Sequence, residues 1–261
     1  MQISFTVLGC GTSTGVPVPG CKCSVCLSED PRNTRLRTSG LVTLENGANI
    51  LIDAGTDIRA QALANNIDKI DAVLFTHSHS DHILGIDDLR CFNFNRSGPI
   101  PCFAESSTIG EIKRVFKYLF EDNSDYEGGL LAKLALTPVV PLQSFDLLGA
   151  TITPFRLWHG KNQVTGFRIN DLVYATDCNN IPEESVEIMS GAKLLVLDAL
   201  RHRPHRTHFT VSEAVSQAQL LKADQTLFVH MTHDIDYETE SALLPTNISY
   251  AYDGLTKVIY S

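Results

Sequence analysis

The sequence predicts a layered α/β fold, with two β-rich halves stacked sheet on sheet and flanked by helices in one domain. Three observations predict it. Short apolar runs bounded by turn residues recur in both halves of the chain. Segments with helical spacing fall between them. No low-complexity linker, long charge run or short-period repeat divides the 261 residues.

The elements follow in order. "ISFTVLG" (3–9) is a buried strand ending at glycine. "LVTLENGANILID" (41–53) is a hairpin, because two apolar runs flank Asn46-Gly47, the strongest short-range turn signal. "TDIRAQALANN" (56–66) has a helical composition, and Ala72–Phe75 is the next buried strand. "SSTIGEIKRVFKYLF" (106–120) starts with a serine cap and continues at helical spacing, and "EDNSDYEGG" after it is a polar loop. "TITPFRLWH", "VTGFRIN" and "LVYATD" form a second run of strands. "PEESVEIM" (182–189) is a short helix, "AKLLVLDAL" (192–200) a strand, "TVSEAVSQAQLLKA" (210–223) a longer helix and "QTLFVH" (225–230) a strand.

Composition limits the function classes. Hydrophobic residues make up 43% and charged residues 20%, as in ordinary globular proteins. The formal charge, 21 − 30 = −9, argues against a broad nucleic-acid-binding face. The start, "MQISFTVLGCGTS", lacks the basic and apolar regions of a signal peptide, and no apolar run reaches membrane-spanning length. A cytoplasmic protein with no membrane partner is expected. Seven cysteines, an odd number with three in "CKCSVC", then read as reduced thiols or metal ligands rather than a disulfide frame.

The chemistry concentrates in "FTHSHSDHILG" (75–85), where His77, His79, Asp81 and His82 fall within six positions after an apolar run. None of the nine histidines falls inside a segment read as helix. His77, His159 and His230 stand at or just after strand ends, as does Asp177. Strand ends of a layered fold open on a common crevice, and imidazoles with carboxylates suit zinc, manganese or iron.

"THSHSDH" resembles the H-x-H-x-D-H signature of the metallo-β-lactamase superfamily, and the resemblance continues in order along the chain. Asp53 closes "ILIDAG", His159 follows "ITPFRLW", Asp177 ends "LVYATD" and His230 ends "TLFVH". It implies a four-layer αββα sandwich with a two-metal centre at one edge. One metal would take His77, His79 and His159, and the other Asp81, His82 and His230, with Asp177 bridging. Asp53 looks like the carboxylate that orients a loop histidine and fixes its tautomer.

The N-terminal "GCGTSTGVPVPGCKCSVC" resembles the phosphoribosyl 1,2-cyclic phosphodiesterase branch of that superfamily, as does "HILGIDDLRCFN" (82–93). The resemblance implies a zinc knuckle in the 10–38 loop. Cys21, Cys23, Cys26 and His233 would form a Cys3His structural zinc site, with a disulfide inside "CKCSVC" as the alternative. Cys10, Cys91, Cys102 and Cys178 are expected to be buried thiols.

The implied reaction is hydrolysis of a small cyclic or nucleotide-derived phosphodiester by a hydroxide held between two divalent metals, manganese or zinc, and positioned by Asp177 and the metals, with Asp81 also among the catalytic residues. His208, in "RPHRTHFT", matches a catalytic histidine of the branch and is the candidate general acid; a helix-entry role beside Thr210 is its alternative. His202 and His205 are expected at the surface. Arg90 is open to phosphate binding or to an ion pair with Asp87 or Asp88. Phe116, Tyr118 and Phe120 are read as packing residues before pocket residues. Residues 105–136 are longer than in the phosphonate-pathway enzyme and could form a cap insertion. The chain lacks the Gly-rich basic arm of the tRNA 3′-processing endonucleases, so structured RNA is not the expected partner. A tRNA-processing nuclease, a thioester or lactone hydrolase and a non-catalytic binding protein remain as alternatives, and a homodimer stays open.

Overall fold

The computed structural model describes residues 2–94, 96–121 and 128–260. Among these, fourteen strands form two seven-stranded sheets. The first sheet contains β1 (Gln2–Gly9), β2 (Ser39–Leu44), β3 (Asn49–Ile52), β4 (Ala72–Leu74), β5 (Ile100–Ala104) and β6 (Leu134–Pro138). Its other edge is β14 (Thr256–Tyr260), so the order runs β14-β1-β2-β3-β4-β5-β6. The second sheet contains β7 (Phe145–Leu147), β8 (Ala150–His159), β9 (Asn162–Ile169), β10 (Leu172–Ala175), β11 (Leu194–Asp198), β12 (Gln225–Val229) and β13 (Ile248–Tyr250). Its order is β13-β12-β11-β10-β9-β8-β7.

Each sheet begins antiparallel and becomes parallel, from β3 onward in the first and from β10 onward in the second. Parallel neighbours need crossovers, and helices supply them. In the first half these are α1 (Ile58–Ala64), α2 (Ser80–Ile83), a 3-10 helix over Ile86–Asn93, α3 (Ser106–Val115) and α4 (Lys117–Phe120). In the second they are α5 (Glu183–Met189), α6 (Val211–Leu221) and α7 (Tyr237–Ser241).

The strand patterns explain the layers. Ile3, Phe5 and Val7 of β1 alternate with less buried residues and face the second sheet, where Ile152, Phe155, Leu157, Phe167 and Tyr174 complete one core. A second core lies on the far side of the first sheet. There Leu51, Val73 and Phe75 meet Ile58 of α1, Ile86 and Leu89 of the 3-10 helix, and Ile109 and Ile112 of α3. Ala214, Ala218 and Leu221 cover the second sheet from α6. The result is the expected αββα sandwich.

Several expectations change in detail. The 106–120 helix is two helices, because Phe116 leaves helical geometry at φ −105°, ψ 41°. Its cap is Glu105, without a side-chain capping bond, and Ser106 is the first helical residue. Phe116 is buried and Phe120 packs against the second core, in keeping with a packing role, whereas Tyr118 is exposed on the single turn of α4 and departs from it. Of the expected polar loop after α4, residues 122–127 lie outside the described residues. The 105–136 segment contains α3 and α4 and ends inside β6. Strands β5, β6, β7, β13 and β14 were not foreseen in the sequence. Arg90 pairs with Asp87 at 2.6 Å. Among the described residues, no helix is long and apolar enough to cross a membrane.

Candidate active site and metal centre

The crevice lies at the carboxyl ends of the parallel strands, where open α/β sheets place their ligands. Three strands end in residues with left-handed backbone: Asp53 after β3 (φ 62°), Asp177 beyond β10 (φ 55°) and His230 after β12 (φ 62°). A non-glycine residue in this region is disfavoured by roughly 1–3 kcal/mol. Here the turn brings each side chain back into the crevice and buries it.

The segment after β4 folds tightly over the Asp53 loop. His79 caps α2, and Asp81 and His82 lie within that four-residue helix, so His82 is a helical residue after all. Ala54 N–H donates to the His82 carbonyl at 2.9 Å, and Gly85 N–H to the Ala54 carbonyl at 2.9 Å. Two glycines allow this approach: a Cβ on Gly55 would sit 1.8 Å from the Asp81 carbonyl oxygen, and one on Gly85 1.9 Å from that of Gly55. Asp53 is fully buried and accepts from Thr76 N–H at 2.8 Å, Thr76 Oγ1 at 2.7 Å and His82 Nδ1 at 2.7 Å. It takes one nitrogen of His82 and leaves Nε2 free of it.

Ligand atoms converge around Asp177. Those of Asp81, His82, Asp177 and His230 lie within 4.8 Å of one another, as do those of His77, His79 and Asp177. His82 Nε2 is 3.3 Å from Asp177 Oδ1 and 3.3 Å from Asp81 Oδ2. His230 Nε2 is 3.1 Å from Asp177 Oδ2, and His77 Nε2 is 3.9 Å from the same oxygen. The His159 ring centroid lies 5.1 Å from that of His79 and 5.8 Å from that of His77, and its ligand atom lies within 4.8 Å of those of Asp177 and His208 rather than in the group of His77 and His79. His159 is fixed through Nδ1, which donates to the Thr207 carbonyl at 2.8 Å.

Donor chemistry fits divalent metal ions here. His77 Nε2, His82 Nε2 and His230 Nε2 are buried and make no well-aligned hydrogen bond, despite carboxylate oxygens 3.1–3.9 Å away. They share a space with the carboxylates rather than bonding along a donor axis. Electrostatics point the same way. Burial alone would raise the pKa of Asp177, yet His230 and His82 hold it well below the usual carboxylate range. Burial opposes a charged His230 ring, but Asp177 outweighs it and pushes the pKa up to about 10. His77 moves the other way, well below its ordinary value, through burial and the neighbouring His82. The carboxylates thus draw positive charge to this spot, a demand that divalent cations satisfy.

The sequence named His208 but not its partner. His208 Nδ1 is 2.7 Å from Asp198 Oδ2, at the end of β11, and this oxygen also accepts from Cys178 N–H at 2.7 Å. The His208 ring stacks on His230 at 4.6 Å and meets His159 edge-on at 4.6 Å. Asp198 ends an apolar strand as Asp177 does, and that was its only signal in the sequence. His205 is exposed, with its ring 5.2 Å from that of His208, and His202 pairs with Glu240 at the surface.

A second cluster lies on the flank. Cys21, Cys23 and Cys26 place Sγ at 3.3, 3.5 and 3.3 Å from His233 Nδ1. All seven cysteines are free, so no disulfide closes "CKCSVC". Val18 N–H donates to Cys26 Sγ at 3.3 Å and Cys26 N–H to Cys23 Sγ at 3.4 Å, contacts that favour thiolates. The Cys26 N–H is the main cause that brings the Cys23 thiol down to about 7, whereas burial pushes the Cys26 thiol up to about 11 against the Val18 N–H. Thr12 N–H bonds the Met231 carbonyl at 3.0 Å and Met231 N–H the Cys10 carbonyl at 2.9 Å, which holds this loop beside His230. Of the remaining cysteines, Cys10, Cys102 and Cys178 are buried as expected; Cys91 is exposed.

A family model described as "Beta-lactamase superfamily domain" matches residues 48–231. The chain belongs to the metallo-β-lactamase superfamily. Within this superfamily of metal-dependent hydrolases, it is 41% identical to a crystal structure described as a new diphosphatase from the PhnP family. That alignment covers 99% of this chain and 98% of the other, at a TM-score of 0.92. It is 38% identical over 256 residues to a Porphyromonas gingivalis protein named octanoyltransferase, covering 97% of this chain and 51% of that one. A ribonuclease Z of Bradyrhizobium sp. is 30% identical over 167 residues, covering 62% of this chain and 49% of the relative. The chain therefore spans about half the length of these curated relatives, and their names describe the longer proteins. Zinc-bound PqqB from Methylobacterium extorquens, 20% identical with a TM-score of 0.76 over 98% of this chain and 99% of that one, shares the metallo-β-lactamase fold.

Proposed function

We propose that the chain is a binuclear metal-dependent phosphodiesterase that hydrolyses a small, nucleotide-derived phosphodiester or diphosphate. The observation that carries this reading is the position of Asp177 between two groups of ligand atoms. His77, His79 and His159 would hold one divalent ion, Asp81, His82 and His230 the other, and Asp177 both. Such ions, manganese or zinc, supply Lewis acidity toward a phosphoryl group and toward water when bound. The donors include no thiolate that would select zinc.

The chain's own residues do the rest. Asp81 and Asp177 orient the attacking water through their oxygens. Asp198 holds His208 through Nδ1 and leaves its other nitrogen to give a proton to the departing oxygen. The similarity to the diphosphatase favours cleavage between two phosphates as well as at a simple diester. The cleft beside the centre is polar, with Ser107, Lys161, Asn162 and Gln163 among its residues, which disfavours an acyl-chain substrate. The net charge of −9 disfavours a large RNA.

Mild chelation is expected to abolish hydrolysis of bis(4-nitrophenyl) phosphate, and manganese or zinc to restore it. Full activity in verified metal-free protein would contradict the mechanism. Cleavage of precursor tRNA or of thioesters, without activity on any small diester or diphosphate, would overturn the substrate assignment.

The Cys3His cluster is proposed as a structural zinc site that survives this chelation. Its four donors leave no open position for a substrate. Cys23→Ser is expected to release about one zinc per chain and lower the melting temperature, because such sites couple to folding. Metal analysis and a thermal melt check this, and unchanged values in both would remove the site.

A further inference from the structure

A cleft of about 520 Å³ opens beside His77, His79 and His159, and neither His208 nor its partner Asp198 lines it. This volume lies within the ~300–1,000 Å³ of small-molecule sites. Three features of its wall are independent of the metal ligands. Trp158, the chain's one tryptophan, is half-buried at the end of β8 and lines the cleft. Lys161, at the tip of the β8–β9 hairpin, is exposed to it and has no ion-pair partner among the described residues. The first turn of α3 contributes Ser107 and Thr108, and its cap Glu105 makes no side-chain bond to the helix amides.

Charge on this wall is uneven. Glu105 is occupied by Thr165 Oγ1 at 3.1 Å and lies 3.7 Å from Arg156, and Glu111 is paired with Arg114 at 2.7 Å. Both nearby carboxylates are thus engaged elsewhere, and Lys161 and the uncapped α3 amides remain for an anion. The hairpin that carries Lys161 is firmly held. Gly160 N–H donates to Asn179 Oδ1 at 2.8 Å, and Asn179 Nδ2 donates to the Arg206 carbonyl at 3.0 Å. A rigid aromatic face, a lone cation and hydroxyl and amide groups in one cleft match a base, a phosphate and a ribose.

We infer that this cleft is a nucleoside-phosphate subsite, in which Trp158 stacks on the base and Lys161, with the first turn of α3, binds the phosphate next to the one attacked. The inference rests on the proposed phosphodiesterase reading and narrows it to substrates with a base and at least two phosphates. An uncharged ester or a bare sugar phosphate leaves half of this surface unused.

Because Trp158 is the one tryptophan, its fluorescence reports occupancy without turnover. The probes are AMP, adenosine, ribose 5-phosphate and inorganic phosphate, each titrated into the metal-loaded protein. AMP is expected to change the emission saturably and to bind about tenfold more tightly than adenosine or ribose 5-phosphate. In Lys161→Ala the advantage of AMP over adenosine should fall below about threefold. Calorimetry on Trp158→Leu should show AMP binding weakened about tenfold and adenosine binding lost, and Trp158→Phe should recover both. Stacking of a base on an aromatic ring supports effects of this size. No emission change with millimolar AMP overturns the subsite, as does an equal response to AMP and phosphate. Hydrolysis of bis(4-nitrophenyl) phosphate by the same wild-type preparation separates the two ideas. Hydrolysis without AMP binding removes the subsite alone, and no hydrolysis with any metal removes the phosphodiesterase reading.

Discussion

His208→Ala should lower turnover of an unactivated diester by roughly 10²–10⁴-fold, the usual scale for a positioned proton donor. The ring is buried, is held at 2.7 Å by Asp198 and stacks on His230, and it lies outside the two groups proposed to hold the metals, although its ligand atom is also within 4.8 Å of those of His159 and Asp177. Metal content should therefore stay intact. The loss should shrink with a nitrophenolate leaving group, which departs with little protonation. Kinetics on a matched pair of activated and unactivated diesters check this. An equal loss on both would remove His208 from the acid role, and loss of metal would instead make it a ligand.

Asp53→Ala should have the second-largest effect, although Asp53 groups with none of the ligand clusters. Its side chain is fully buried and receives three hydrogen bonds, from the Thr76 backbone, the Thr76 hydroxyl and His82. Loss of the carboxylate leaves a buried imidazole without its partner, a type of change that costs about 3–5 kcal/mol of stability. His82 would also lose the contact that fixes its tautomer, and such contacts are worth about 10–100-fold in metal affinity. Thermal melts and metal competition with a chelating dye measure the two parts separately. A variant with wild-type melting and metal affinity would show that His82 is oriented by its backbone alone.

The sequence carried much of the site because its chemistry is local. "HSHSDH" places four donors within six residues, His230 and His233 both follow the end of β12, and the resemblance to the superfamily and its phosphodiesterase branch joined these residues into two clusters. Asp198 escaped notice because nothing local distinguishes it from any other acid closing an apolar strand; only the fold brings it to His208. The fold was legible wherever a run buried itself by its own pattern, as in β1, in the Asn46-Gly47 hairpin, and in α6 with its Thr210–Glu213 capping box. It was hidden where pairing depends on distant partners. β13 has three residues, β6 lies at a sheet edge and ends in Pro138, and β14 is specified by its match to β1. The break at Phe116 was invisible because apolar spacing continues through it and only the backbone changes.

The pairing of β1 with β14 also sets a schedule for synthesis. Thr6 and Thr256 share a hydrogen bond although 250 residues separate them. At the ~5–20 residues per second of a ribosome, that interval lasts about 12–50 s. Throughout it, one edge of β1 exposes unpaired amides and carbonyls, the kind of edge that recruits strands from other chains. His230 emerges late in the same interval, so the nascent chain carries the histidines and aspartate at 77–82 long before the strand that brings His230 to them. A chain stalled before β14 should be found with trigger-type chaperones or in aggregates, and a full-length chain should not.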